Sequence, residues 1–174
     1  MTPLGPLHGK SFATTISPWI ITLEALSPSA SALPPRNPDV VLPTYLQDPS
    51  PLPSYTINLS ATVSPSNSSS IHTICTSKFS SIYWTLRDLV AQQTINGCSL
   101  RTGDLLATGT ISGETDEEHG CLMELAKKGG VSLAGAEKRV FFEDGDEVVM
   151  TAVAGKGVGF GDCAGRIVGA KDSH

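Results

Sequence analysis

The sequence predicts a domain of mixed β structure with few helices, and two observations support this prediction. Short β-like segments recur along the chain, one of them alternating apolar and polar side chains, and turn-forming residues separate several of them. A helical period of apolar residues is clear in one stretch, residues 79–94. The 174 residues suffice for one domain with a hydrophobic core, and no internal repeat divides them.

The first part of the chain contains an extended segment, an irregular segment and a hairpin. Ser17 precedes a proline, which disfavours helical backbone, so residues 16–23 are predicted to form a short strand. Residues 27–53 are dense in Pro and Ser, which predicts an irregular surface excursion. Residues 55–63 alternate apolar and polar side chains like a half-buried strand, and residues 71–75 are predicted to pair with them.

The predicted helix covers residues 79–94. Arg87 and Gln92 lie away from its apolar face, and Asn96 with Gly97 provides a natural stop. The apolar face consists of Phe79, Ile82, Leu86, Leu89 and Val90.

The rest of the chain is predicted to be mostly β structure. Asp144-Gly145-Asp146 is a hairpin-turn signal. The glycine-rich residues 155–161 imitate a dinucleotide-binding fingerprint, but no strand–helix–strand unit surrounds them, so a flexible turn is predicted instead. The predicted strands are residues 104–111, 122–125, 140–142, 147–152 and 163–168.

Composition excludes several classes of partner. The net charge is −5 with a pI near 5.3 and no basic run, which argues against nucleic acid or an anionic membrane. No stretch reaches transmembrane length, and the N-terminus lacks the apolar core of a signal peptide. The four cysteines form no CxxC pair, which is typical of reduced thiols, and we expect a cytoplasmic protein.

Lys10 lies in a short segment that concentrates a cation and hydroxyl groups. Gly5 and Gly9 enclose three residues, whereas a phosphate-binding P-loop needs four, so that motif is disfavoured. A lysine in this setting can supply fixed positive charge where a reaction builds negative charge. The alternative is a solvated surface lysine.

Thr110 and Glu124 are two further candidates. Residues 104–111 are predicted as an apolar strand ending in Gly and hydroxyl residues, which could approach a ligand or simply enter a polar turn. Glu124 is flanked by apolar residues, so we expect partial desolvation to raise its pKa and to help it orient and deprotonate water. The alternative is a charge on the exposed face of a strand.

Metal-ligand patterns are weak in this sequence. His72 and Cys75 have the spacing of two zinc ligands, but no second pair follows at zinc-finger spacing. The acidic residues 116–118 are more typical of a solvated loop than of a cation site.

Four stretches in the same order resemble the fumarylacetoacetate hydrolase family. The first is PLGPLHGKSFATTISPW at residues 3–19, and the second is CTSKFSSIYW at residues 75–84. The others are NGCSLRTGDLLATGTISG at residues 96–113 and GFGDCAG at residues 159–165. Ala13, where the family usually has Gly, and the enlarged Pro/Ser region at 27–53 are departures.

The resemblance implies a β-rich catalytic domain over residues 1–174 and a hydrolase that cleaves a carbon–carbon bond in a β-diketo acid. It matches Lys10 to an active-site lysine, Thr110 to a substrate-contacting threonine, and Glu124 to a glutamate that acts with a histidine on the attacking water. Thr14 matches a threonine beside a Mg²⁺ or Ca²⁺ site. A lysine ammonium cannot ligate a cation, so Lys10 and Thr14 are expected to act there through backbone oxygen, hydroxyl or water.

The resemblance also implies that this chain carries only the second half of the site. In the family the carboxylate ligands, the histidine, and an Arg and Gln that hold the substrate precede the Lys10 loop. We therefore expect an N-terminally truncated domain, inactive alone, from a homodimeric enzyme of tyrosine and phenylalanine catabolism. The alternative is a non-catalytic remnant of the fold that dimerises or binds a small molecule.

Overall fold

A four-stranded antiparallel sheet organises the computed structural model, which describes residues 13–132, 138–155 and 157–170. The strands are β1 (Ala30–Ser31), β2 (Ser54–Tyr55), β3 (Ile57–Ser64), β4 (His72–Lys78), β5 (Val131–Ser132), β6 (Lys138–Arg139), β7 (Glu147–Ala154) and β8 (Val158–Arg166). The α-helices in the described part are α1 (Leu23–Leu26), α2 (Leu86–Thr94) and α3 (Leu122–Lys127). Short 3₁₀ turns cover Ser27–Ser29, Thr44–Leu46, Phe79–Ser81 and Asp116–Glu118. The predicted β-rich fold with few helices is confirmed.

The sheet has the strand order β4-β3-β7-β8, with every pair antiparallel. The core lies where β3, β7 and the turn after β4 meet. Ile57 opposes Ala154 across β3 and β7, and both pack with Phe79 and Leu26. Burial of these apolar side chains stabilises the packing of the sheet against the segments that carry Leu26 and Phe79.

Several predicted elements are confirmed. Residues 55–63 fall on β2 and β3, and residues 71–75 overlap β4, which pairs with β3 as predicted. Residues 147–152 lie in β7, and residues 163–168 overlap β8, although β8 already begins at Val158.

Four predicted strands are wrong. Residues 16–23 form no strand, and the chain enters α1, whose cap is Thr22. Residues 104–111 are irregular because the backbone turns at a glycine on either side of the apolar run, leaving Leu105 65% exposed. Residues 122–125 lie in α3, and residues 140–142 follow β6 without joining a sheet.

The α-helix begins at Leu86, seven residues after the start of the predicted helix at residue 79. Phe79–Ser81 is a 3₁₀ turn, and the backbone is extended at Ile82. The α-helix starts at Leu86, because Thr85 caps it by accepting a hydrogen bond from the backbone N–H of Asp88. Gly97, with φ of 87°, follows the helix end, which confirms the predicted stop.

The Asp144–Gly145 turn is confirmed, but the hairpin is not. Gly145 has φ of 93°, while β6 pairs with β5 and β7 pairs with β3 and β8. The fully buried Asp146 carboxylate accepts hydrogen bonds from the backbone N–H groups of Ser66 and Glu143. The turn therefore fixes the start of β7 instead of closing a hairpin.

The segment 13–20 lies along β8. The Ser17 hydroxyl donates to the carbonyl of Phe160 at 2.8 Å, and the Cys163 thiol donates to the carbonyl of Thr15 at 3.5 Å. Trp19 covers Gly161, where a Cβ would lie 2.2 Å from the indole Cδ1. Gly161 also has φ of 71°, so this close approach requires glycine.

The longest described helix, α2, has nine residues, and none of the helices in the described part is long and apolar enough to cross a membrane. All four cysteines are free, as the sequence predicted.

Candidate functional site

A cavity of about 540 Å³ lies between the start of α2 and the start of α3. One wall is mainly apolar and is formed by Ile82, Tyr83, Trp84 and Leu89. The rest of the lining carries hydroxyls, a thiol and a carboxylate, from Ser81, Thr108, Thr110, Ser112, Cys121 and Glu124. An apolar cleft with a few convergent polar groups is the usual form of a small-molecule site.

Thr110 and Glu124 therefore line the same cavity, although they come from different segments. Gly120 makes this juxtaposition possible. A Cβ on Gly120 would lie 2.4 Å from the carbonyl oxygen of Ile111 and 2.8 Å from Cγ2 of Thr110. Because glycine has no Cβ, the chain before α3 can rest directly against the Thr110 segment.

Glu124 is the third residue of α3, and three groups fix its surroundings. The Ser112 hydroxyl donates to Glu124 Oε2 at 2.8 Å, and the Cys121 backbone N–H donates to the same oxygen at 3.3 Å. The Gly120 N–H donates to the Ser112 hydroxyl at 3.1 Å. Ser112 thus links the Thr110 segment to the carboxylate through hydrogen bonds on both sides.

The pKa of Glu124 is lowered, so the prediction of a raised pKa was wrong. The hydrogen bond from Ser112 is the largest cause, and partial burial, which would raise the pKa, is outweighed. Hydrogen bonding by Cys121 and the charge of His119 lower the pKa further. Glu124 is consequently an ionised hydrogen-bond acceptor at neutral pH.

Two aromatic rings shape the apolar wall. Tyr83 and Trp84 meet edge to face, with ring centroids 4.8 Å apart and an interplanar angle of 74°. This is a favourable geometry for an aromatic pair. Both residues belong to the extended turn that separates β4 from α2.

The remaining predicted site residues are not brought into the cavity. Lys10 lies outside the described residues. Thr14 is exposed, lies in the segment along β8, and is absent from the cavity lining. Of the four candidates, the structure brings together Thr110 and Glu124.

The described residues do not by themselves fit a divalent-cation site. Within residues 13–132, 138–155 and 157–170, no three His, Cys, Asp or Glu side chains are grouped so that they could hold a metal. Mg²⁺ and Ca²⁺ require several oxygen ligands, and the single hydroxyl of Thr14 cannot replace them. His72 and Cys75 likewise belong to no such group.

Sequence reasoning missed Ser112, Gly120 and the aromatic pair. One signal was present: Cys121-x-x-Glu124 has the spacing of a capping box, in which a residue before the helix bonds the third residue within it. The spacing indicates a helix start where alternation suggested a strand. The contact between Ser112 and Glu124 has no local signal, because it depends on the fold.

The fold and the cavity define a β-rich domain with one polar and one aromatic wall, suited to a small ligand carrying oxygen atoms. The family model described as fumarylacetoacetate (FAA) hydrolase C-terminal matches residues 1–168, and the chain belongs to this family. The resemblance found in the sequence is thereby confirmed.

Several curated proteins that are similar to this chain are named fumarylacetoacetase. The fumarylacetoacetase of Bos taurus is 44% identical over 179 residues, which cover 95% of this chain and 40% of the relative. The fumarylacetoacetases of Caenorhabditis elegans and Oryza sativa subsp. japonica are 41% and 44% identical over 170 residues, again 95% of this chain. The chain spans about two fifths of the length of these curated relatives.

Proposed function

We propose that this chain supplies part of the active site of a fumarylacetoacetase, which hydrolyses 4-fumarylacetoacetate to fumarate and acetoacetate in tyrosine and phenylalanine catabolism. The observation that carries the proposal is the shared cavity of Thr110 and Glu124. Its support is the membership of the family and the name of the relatives. A β-diketo acid has carbonyl and carboxylate oxygens that hydroxyl donors can bind.

In the proposed reaction, water adds to a carbonyl carbon of the substrate. The adjacent carbon–carbon bond then breaks, its electron pair forms an enolate, and protonation of that enolate gives the second product. Thr110 donates a hydrogen bond to a substrate oxygen. Lys10 provides positive charge for the enolate.

The lowered pKa of Glu124 defines its part in this scheme. A general base works best with a pKa near the operating pH, and Glu124 lies well below it. As an anion, Glu124 instead orients the attacking water, or the histidine that the family resemblance places with it. The histidine then takes the proton.

Mg²⁺ or Ca²⁺ as Lewis acid, a homodimer and a cytoplasmic location remain predictions from the resemblance and the composition. If a cation takes part, ligands beyond those in the described residues must hold it, with Lys10 and Thr14 near it.

The proposal is tested by turnover of 4-fumarylacetoacetate in the intact protein that carries this chain. Glu124→Gln keeps the shape and removes the charge that orients the water or the histidine, so kcat should fall by roughly 10²–10³-fold, as for the loss of one electrostatic stabiliser. Thr110→Val should raise KM by removing a hydrogen bond to the substrate. Glu117→Gln, an exposed acid outside the cavity lining, is the matched control.

Equal turnover by Glu124→Gln and Glu117→Gln would contradict the role of Glu124. If the unaltered protein shows no turnover yet still binds fumarate, the non-catalytic binding protein becomes the better description.

A further inference from the structure

Arg36 connects the Pro-rich segment to the aromatic wall of the cavity. It lies within residues 27–53, and its side chain is 23% exposed. One guanidinium nitrogen, Nη2, donates to the carbonyl of Tyr83 at 2.9 Å and to Oδ2 of Asp88 at 3.1 Å. The side chain is therefore held both by the turn that precedes α2 and by the first turn of α2 itself.

The guanidinium also contacts the two rings of the wall. Arg36 Cζ lies 4.7 Å from the ring centroid of Tyr83 and 5.6 Å from that of Trp84. Both distances are within the range in which a cation is attracted by an aromatic face. A planar guanidinium can stack on rings and donate in a fixed fork, whereas a lysine ammonium acts as a compact point charge.

We propose that Arg36 is a positioning residue that fixes Tyr83 and Trp84 in the orientation that forms the substrate cavity. This inference rests on the proposed function, because it takes the cavity as the substrate site. Through Arg36, the Pro-rich segment thereby determines the orientation of the two rings in the aromatic wall. Arg36 itself does not line the cavity and contributes no group to the chemistry.

A second arginine supplies a matched control. Arg87 on α2 pairs with Asp48 of the same Pro-rich segment, with Nη1 3.0 Å from Oδ1. Arg87 is 67% exposed, and its ion pair with Asp48 includes neither Tyr83 nor Trp84. Arg87→Lys therefore perturbs the attachment of the segment to α2 while leaving the ring contacts of Arg36 in place.

The test uses the intact protein labelled with 5-fluorotryptophan and observed by ¹⁹F NMR. The resonance lost in Trp84→Phe is assigned to Trp84. In Arg36→Lys this resonance should shift or broaden without ligand, whereas in Arg87→Lys it should stay unchanged. Arg36→Gln, which can still donate to the carbonyl of Tyr83, replaces Arg36→Lys if the latter fails to fold.

Fumarate, a product of the proposed reaction, is then titrated. Its apparent affinity should fall roughly three- to tenfold in Arg36→Lys, the range expected for a lost cation–π contact, and stay unchanged in Arg87→Lys. KM should rise with kcat nearly constant, because Thr110 and Glu124 are untouched. An unaltered Trp84 resonance in Arg36→Lys would overturn the inference. If the unaltered protein neither turns over 4-fumarylacetoacetate nor binds fumarate, the proposed function fails, while the ligand-free spectra still decide the role of Arg36.

Discussion

The helices α2 and α3 begin with the same local arrangement and use it differently. In α2 the carboxylate of Asp88 accepts from the backbone N–H of Thr85 at 3.1 Å. In α3 the carboxylate of Glu124 accepts from the backbone N–H of Cys121 at 3.3 Å. Each acid is the third residue of its helix, and each satisfies an N–H group that the helix start would otherwise leave without a partner.

The partners beyond the helix separate the two acids. Asp88 is 2% exposed and forms an ion pair with Arg36, so its charge is compensated inside the protein. Glu124 is half-buried, takes its hydrogen bonds from the neutral groups of Ser112 and Cys121, and faces the cavity. The same capping motif thus yields a structural carboxylate in one helix and an accessible anion in the other.

The largest effect is expected from a substitution that disrupts the capping box and ion pair at the start of α2. Asp88→Ala removes the carboxylate half of the capping box and leaves Arg36 without its carboxylate, so the free energy of unfolding should fall by about 2–4 kcal/mol. Urea denaturation measures the change. Asp39→Ala, at an exposed position in the Pro-rich segment, should have little effect. If both variants lose the same stability, the ion pair of Asp88 contributes nothing specific.

A smaller effect is expected at α3. Ser112→Ala removes the strongest hydrogen bond of Glu124, and the protein should lose about 1 kcal/mol at neutral pH. Ser112→Thr, which keeps the hydroxyl, should restore most of the loss. Ser99→Ala, on an exposed loop, is the control.

The same substitution has a pH signature. A folded-state pKa below the ordinary 4.5 contributes stability that is present above this value and lost as pH falls through the lowered pKa. Ser112→Ala should raise the pKa of Glu124, so the stability difference from the unaltered protein should shrink below pH 4.5. The acidic limb of the activity profile should move to higher pH. A stability difference constant from neutral to acidic pH would show that Ser112 acts without the charge of Glu124.

The smallest effect is expected from a substitution that makes the start of α3 more similar to the start of α2. Cys121 occupies the position that Thr85 holds in α2, and a thiol is a weak hydrogen-bond acceptor. Cys121→Ser should stabilise the protein by about 0.5 kcal/mol, since serine is among the preferred residues at this position. A lower melting temperature for Cys121→Ser would mean that packing of the thiol outweighs capping.

Sequence reasoning worked where the determinants were local. Residues 55–63 alternate apolar and polar side chains, as expected for a strand with one buried face, and most of them form the central strand β3. The short β-like segment 147–152 lies in the other central strand, β7. It failed for residues 104–111, because an apolar run does not reveal whether a neighbouring strand is available to pair. It failed for residues 122–125, because so short a segment leaves helix and strand periods indistinguishable.

The site was predicted through resemblance more than through pattern. Thr110 and Glu124 were selected as separate candidates, and their common cavity depends on the missing side chain of Gly120. The lowered pKa of Glu124 could not be predicted, because the hydrogen bond from Ser112 arises only when the two segments meet. Thr14, matched through the same resemblance, is exposed and does not line this cavity.

The attachment of residues 13–20 to β8 has a consequence for biosynthesis. Ser17 and Phe160, which share a hydrogen bond, are 143 positions apart. On a ribosome, which adds about 5–20 residues per second, the early segment must wait roughly 7–30 seconds for its strand to be made. During that interval the hydrogen bond from Ser17 to Phe160 and the contact of Trp19 with Gly161 cannot form, so residues 13–20 can reach their native position only after β8 has been synthesised.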